Sequence, residues 1–69
     1  MTRIDARGMR CPWPAIRLAR ALRDGASVVE IEADDPRAPG ELASAAATIG
    51  ARLETVGEGV FRVERPPAA

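Results

Sequence analysis

The clearest pattern of apolar and polar positions lies in residues 27–33, where Val29 and Ile31 face one way and Glu30 and Glu32 face the other. This alternation is typical of a β-strand with one covered face and one wet face. Weaker runs of the same kind predict three further strands, over residues 2–6, 52–56 and 60–64. The last two are joined by Gly57-Glu58-Gly59, a glycine-containing loop of hairpin length.

Two segments between these strands have the spacing of helices. The first is predicted to begin at Pro12, because proline has a helical φ and the first helical position needs no N–H; Pro14 is tolerated in the same turn, and Gly25 ends the helix. At 100° per residue, the side expected in the core consists of Pro14, Ala15, Leu18, Ala19, Ala21 and Leu22. The other side carries Arg17, Arg20 and Arg23, with Trp13 and Ile16 among them.

The second predicted helix covers the alanine-rich residues 39–49. Leu42, Ala46 and Ile49 recur in it at helical spacing, and Gly50 stops it. The preceding Asp34-Asp35-Pro36 supplies turn chemistry and a candidate N-cap.

The predicted element order is therefore β-α-β-α-β-β. Two helices can cover only one face of so small a four-stranded sheet. We therefore predict an α+β fold: a two-layer α/β sandwich in which a mixed four-stranded sheet carries both helices on one face. The residues that fit the opposite, solvated face are Glu30, Glu32, Arg62 and Glu64.

The length of 69 residues predicts a single domain over residues 1–69. A domain of this size buries only about 60% of the surface of its unfolded chain. Residues 66–69, Pro-Pro-Ala-Ala, are expected to fray beyond the last strand. No apolar run approaches the roughly 18 residues of a membrane span and the N-terminus lacks the apolar core of a signal peptide, so we expect a cytoplasmic protein with a reduced thiol and no membrane partner.

Charge and cysteine content exclude several classes of function. The ten arginines balance the ten acidic residues, so no net field draws the chain to nucleic acid, and direct nucleic-acid binding is not expected. One cysteine and no histidine cannot form a Cys/His zinc cluster or a Cys-His catalytic dyad. We therefore expect no metal site.

Cys11, the sole thiol, lies between a predicted strand and a predicted helix. A helix N-terminus carries partial positive charge, and Arg7 and Arg10 lie close by in sequence, so we expect a lowered thiol pKa and a stabilised thiolate or persulfide anion. Pro12 and Pro14 stiffen the turn and are expected to hold the sulfur outward, where another protein can reach it.

Other interpretations of these residues stay open at this point. A lone cysteine is often a small buried filler, and an exposed one can be a redox sensor, although this chain has no resolving cysteine. Trp13 fits either the edge of the core or a docking anchor. The arginine stripe fits a solvated helix face, or a contact surface for an acidic partner or an RNA phosphate. Trp13, Arg17 and Arg20 could thus serve a non-catalytic interaction or regulatory module.

Two motifs resemble the TusA family of small, SirA-like sulfur-carrier proteins. Residues 4–14, IDARGMRCPWP, are similar to its strand-Asp-x-x-Gly-x-x-Cys-Pro-x-Pro signature, and residues 33–36, ADDP, resemble its second motif. The predicted β-α-β-α-β-β order extends the resemblance over about residues 3–65.

The resemblance implies a carrier that needs no cofactor beyond a covalent sulfur. Cys11 would accept a sulfane sulfur as a persulfide from a donor such as a cysteine desulfurase and pass it to a downstream acceptor protein. In the family this serves tRNA 2-thiolation, molybdenum-cofactor synthesis or sulfur oxidation. By motif position, Gly8, Pro12 and Pro14 shape the loop, and Asp34, Asp35 and Pro36 are structural.

Two departures from the family pattern bear on the choice of partner. Glu41-Leu42-Ala43 stands where many members have Asp-Ile-Pro, and Trp13 stands where carriers of the tRNA pathway have Glu. The resemblance therefore favours a general sulfur carrier over a dedicated tRNA-thiolation carrier.

Overall fold

Two helices and four strands follow one another in the predicted order in the computed structural model, which describes residues 1–66. They are β1 (Thr2–Asp5), α1 (Trp13–Arg23), β2 (Val28–Glu32), α2 (Ala38–Thr48), β3 (Arg52–Gly57) and β4 (Val60–Glu64). The predicted fraying tail falls on residues 66–69, of which 67–69 lie outside the described residues.

The strands form one mixed sheet in the order β1-β2-β4-β3. β1 and β2 are parallel, with Ile4 opposite Ile31, while β4 pairs antiparallel with β2 on one side and β3 on the other. The parallel pair is connected through α1, and the β3–β4 hairpin turns at the predicted glycine loop. The predicted mixed four-stranded sheet is confirmed.

The core lies between the sheet and the two helices, on one face of the sheet. Val29 and Ile31 are fully buried, as the alternation in β2 predicts, and Val63 lies opposite Val29 on β4. The helices contribute the buried side chains of Pro14, Leu18, Leu22, Ala38, Leu42 and Ala46. The predicted α+β sandwich is therefore confirmed.

The other face of the sheet is polar. Glu30 lies between two arginines: its carboxylate is 3.7 Å from Arg62 Nη2 and 4.0 Å from Arg3 Nε. These cross-strand pairs cover the sheet face that the helices leave open.

The second helix differs from its prediction at both ends. In addition, one apolar residue from the predicted stripe of each helix is exposed. α2 begins at Ala38 and ends at Thr48, so Ile49 lies beyond the helix and is 44% exposed. Ala19 is also exposed because it lies at the margin of the buried stripe of α1.

The predicted N-cap for α2 is wrong. Arg37 occupies the N-cap position, and no side chain caps the helix. Asp35 instead closes the preceding turn: its Oδ1 accepts the Arg37 N–H at 2.8 Å and its carbonyl accepts the Ala38 N–H at 2.9 Å. An aspartate side chain that accepts a hydrogen bond from the backbone N–H two residues later stabilises such a turn.

Candidate functional site

Cys11 lies part-buried in the loop between β1 and α1 and does not belong to the buried core. The interpretation of this cysteine as a core filler is therefore wrong. α1 begins at Trp13, with Pro12 as its N-cap and Pro14 buried in the first turn, so Cys11 is one residue further from the helix than predicted. The Cys11–Pro12 peptide bond is cis.

Two aspartates hold the loop that presents Cys11. Asp34 Oδ1 accepts the Gly8 N–H at 2.9 Å, and Asp35 Oδ2 accepts the Cys11 N–H at 3.4 Å. Both aspartates belong to the segment that joins β2 to α2, whereas the loop that they hold joins β1 to α1. The ADDP motif therefore fixes the position of the cysteine loop.

The β3–β4 hairpin binds the backbone just before the same two aspartates. Gly59 accepts the Ala33 N–H through its carbonyl at 2.9 Å, and Ala33 is buried. The turn at Gly59 has φ +69, and a Cβ there would lie 2.9 Å from the Ala33 carbonyl oxygen. A glycine at this position lets the hairpin approach the backbone that precedes Asp34.

Glu41, on the first half of α2, is the group that contacts the thiol. Cys11 Sγ donates a hydrogen bond to Glu41 Oε1 at 2.7 Å. This bond is the main reason that the pKa of Cys11 is raised, since a hydrogen bond from the protonated thiol favours the neutral form; burial and the negative charge of Glu41 act in the same direction.

The predicted lowering of the Cys11 pKa is therefore wrong, and so is the predicted source of positive charge. The cation that opposes the rise is Arg37, rather than Arg7 or Arg10. The side chain of Arg10 is exposed to solvent.

Arg7 is engaged elsewhere. Its Nε lies 2.9 Å from Asp5 Oδ1 and its Nη2 lies 3.0 Å from Asp5 Oδ2, so the two residues form a bidentate ion pair. The same Nε lies 3.8 Å from Glu32 Oε2. The guanidinium lowers the pKa of Asp5 from 3.8 to about 2. Arg7 thus pairs with the acidic side chains at the ends of β1 and β2.

Trp13 is 58% exposed at the start of α1. It lines a shallow groove of about 420 Å³ together with Gly8, Met9, Arg10 and Arg17. Arg17 also lines a second depression, on the β1 side of α1, and there its neighbour is Arg20, so Arg17 lies between Trp13 and Arg20 on this surface. The groove next to the cysteine loop is aromatic and basic.

Arg37 and Glu41 were missed as site residues by sequence reasoning. Arg37 is the N-cap residue of α2, Glu41 lies four positions further on in its first half, and both line one groove with Gly40 and Ser44. The available signal was the family departure at Glu41, which marks a position whose side chain differs from the usual pattern. Within residues 1–66, no group of three or more Cys, Asp or Glu side chains could hold a metal ion.

Comparisons with known proteins agree with the geometry. A family model described as Sulfurtransferase TusA matches residues 2–64. The crystal structure of a SirA-like protein from Desulfitobacterium hafniense is similar, with a TM-score of 0.76 and 34% sequence identity over 91% of this chain and 92% of that chain. No curated protein matches the chain in sequence. Neither described helix has the length and apolar character to cross a membrane.

Proposed function

The chain belongs to the TusA family of sulfurtransferases, and from this premise we propose that it carries a sulfane sulfur as a persulfide on Cys11. The donor is a protein such as a cysteine desulfurase. The sulfur then passes to a downstream acceptor protein of tRNA 2-thiolation, molybdenum-cofactor synthesis or sulfur oxidation.

The observation that carries this proposal is the placement of the only thiol in the sequence. Cys11 lies in a surface loop that both aspartates of the ADDP motif hold by its backbone. A backbone held in this way keeps the sulfur in one position while the side chain stays accessible, which lowers the entropic cost of meeting a partner's sulfur.

The transfer moves one sulfur atom without net oxidation or reduction. The Cys11 sulfur attacks the outer sulfur of the donor persulfide, a new S–S bond forms on Cys11, and the S–S bond of the donor breaks. The donor leaves as a thiol, which takes the proton that Cys11 gives up. The same exchange in the opposite direction delivers the sulfur to the acceptor.

The groove beside Cys11 supports docking of such partners. Trp13 is a large exposed aromatic residue, a type that dominates small interfaces, and Arg10 and Arg17 flank it. We propose that the donor or acceptor presents an apolar side chain next to acidic residues at this groove. Arg20 contributes to a wider contact along α1 if the partner extends past Arg17.

Intact mass spectrometry tests the proposal directly. The reduced protein is incubated with a cysteine desulfurase and cysteine, and we expect a gain of one sulfur atom that dithiothreitol removes. Cys11→Ser is the matched control, since it removes the thiol and keeps a small polar side chain.

Two results would contradict the proposal. One is the absence of a sulfur adduct with several desulfurases and persulfide donors. The other is an equal adduct on Cys11→Ser. A stable sulfenic acid or mixed disulfide after mild peroxide, without any sulfur uptake, would favour the redox-sensor interpretation instead.

A further inference from the structure

We propose that Arg37 and Glu41 form a switch that distinguishes the empty carrier from the loaded one: Glu41 holds the empty Cys11 thiol, and Arg37 binds the outer sulfur once a persulfide has formed. This inference rests on the proposed persulfide function of Cys11. It assigns positioning roles to the N-cap residue of α2 and to a side chain in the first half of that helix.

The hydrogen bond between Cys11 and Glu41 is lost when a second sulfur is added, because that sulfur replaces the thiol proton. Sγ and Oε1 are 2.7 Å apart, with only the thiol proton between them. An added sulfur would lie about 2.05 Å from Sγ, so it would overlap the carboxylate oxygen if it took the place of that proton. Loading must therefore break the hydrogen bond to Glu41.

Arg37 is placed to receive the displaced sulfur. It lies one helical turn before Glu41, whose N–H donates to the Arg37 carbonyl at 3.1 Å, and the two side chains line the same groove. Arg37 also opposes the rise in the pKa of the Cys11 thiol that Glu41 causes. A persulfide anion whose outer sulfur turns into this groove gains a charge-assisted partner.

The other charged side chains near Cys11 accept hydrogen bonds from backbone N–H groups or are paired with side chains of opposite charge. Asp35 accepts the Cys11 N–H, and Asp34 accepts the Gly8 N–H from the same loop. Arg7 is paired with Asp5 and Glu32. The remaining cation of the loop is Arg10, which lines the Trp13 groove on the side of α1.

The switch changes the charges that a partner meets. In the empty state the Glu41 carboxylate is bound to the thiol, and Arg37 is open to solvent. In the loaded state Arg37 is neutralised by the persulfide, and Glu41 is free. A donor that binds the first arrangement and an acceptor that binds the second would give the transfer a direction.

The pH dependence of alkylation tests both halves of the switch. Iodoacetamide alkylation is followed by intact mass on the empty protein and on protein loaded chemically with inorganic polysulfide. The variants are Glu41→Gln and Arg37→Gln. Glu54→Gln and Arg52→Gln on exposed β3 are the matched controls, and Arg37→Lys tests rescue by a conserved charge.

For Glu41→Gln, we expect the pH profile of alkylation to shift to lower pH in the empty protein. In the loaded protein we expect this pH profile to be unchanged. Each unit of pKa changes the thiolate fraction about tenfold, so alkylation of the empty variant at pH 7 should be at least about threefold faster than in the wild type. For Arg37→Gln, the loaded profile shifts to higher pH, and Arg37→Lys restores it in large part. The controls follow the wild type.

The switch is overturned if Glu41→Gln shifts neither profile or shifts both equally, or if Arg37→Gln leaves the loaded profile unchanged. Failure of every desulfurase to load the wild-type protein counts against the proposed function alone. The two failures are distinguishable because the switch is measured on chemically loaded protein.

Discussion

Asp34 accepts a hydrogen bond from the backbone N–H of Gly8 at 2.9 Å, although 26 positions of sequence separate the two residues. This bond joins the segment after β2 to the loop after β1, and the bond from the Cys11 N–H to Asp35 lies beside it. Two motifs that are distant in the chain therefore act as one unit, in which the second motif positions the thiol of the first.

Replacement of Asp34 by alanine should loosen the cysteine loop without unfolding the domain. Loss of one exposed hydrogen bond should lower the free energy of unfolding by about 0.5–1.5 kcal/mol. Faster amide hydrogen exchange confined to residues 8–11 would be the local signature. Asp34→Asn keeps the carbonyl-type acceptor and is the matched control; equal exchange in wild type and Asp34→Ala would show that this bond does not hold the loop.

Trp13→Ala should weaken partner binding and leave folding intact. Because Trp13 is 58% exposed, its loss removes little from the core. An aromatic anchor at the centre of a small interface is worth about 2 kcal/mol or more, so the Kd for a sulfur donor should rise at least about tenfold.

Calorimetric titration with the desulfurase that loads the protein measures this effect. Val56→Ala is the matched control, since Val56 is also an exposed apolar residue and lies on β3, away from the groove. An unchanged Kd for Trp13→Ala, or an equal loss for Val56→Ala, would contradict a docking role.

The Asp5–Arg7 pair predicts a specific carboxyl titration. Arg7 lowers the folded pKa of Asp5 from 3.8 to about 2, so the pair stabilises the fold fully above about pH 4 and loses its effect as the pH falls through 2. Carboxyl carbon shifts followed by NMR should show a midpoint near 2 for Asp5. In Arg7→Gln this midpoint should return toward 3.8, and a wild-type midpoint already at 3.8 would contradict the pairing.

Gly59→Ala should destabilise the domain more than Gly50→Ala. Both glycines have positive φ, +69 and +70, so both substitutions carry a backbone cost of about 1–2 kcal/mol. Only at Gly59 does the added Cβ meet another backbone atom, the Ala33 carbonyl oxygen at 2.9 Å. Urea unfolding should therefore show that Gly59→Ala lowers the free energy of unfolding by about 1 kcal/mol or more beyond the loss for Gly50→Ala. Equal losses for the two variants would contradict this prediction and would mean that the hairpin moves to relieve the contact.

The element order could be predicted because each element follows from local chemistry. In β2 the alternation of Val29 and Ile31 with Glu30 and Glu32 predicted the buried and open faces. The strand order β1-β2-β4-β3 was not predicted in detail, because the pairing of β4 between β2 and β3 depends on contacts between distant segments. The end of α2 was also missed, because the spacing of Ile49 continued past the last helical turn.

The electrostatics of the thiol show where local reasoning fails. Arg7 and Arg10 are near Cys11 in sequence, so they were expected to lower its pKa. Arg7 is held by Asp5, and the side chain that reaches the sulfur is Glu41, 30 positions further along the chain. Its hydrogen bond reverses the direction of the pKa shift.

The sequence by itself determined the six elements, the loop that carries Cys11 and the family, because periodicity, proline and glycine act over a few neighbouring residues. Only the tertiary structure decided that Asp34 and Asp35 hold that loop and that Glu41 contacts the sulfur. The physical reason is that hydrogen bonds and charge interactions depend on separations of a few ångström, and for residues far apart in the chain these separations are set by the packing of α2 and β2 around the core.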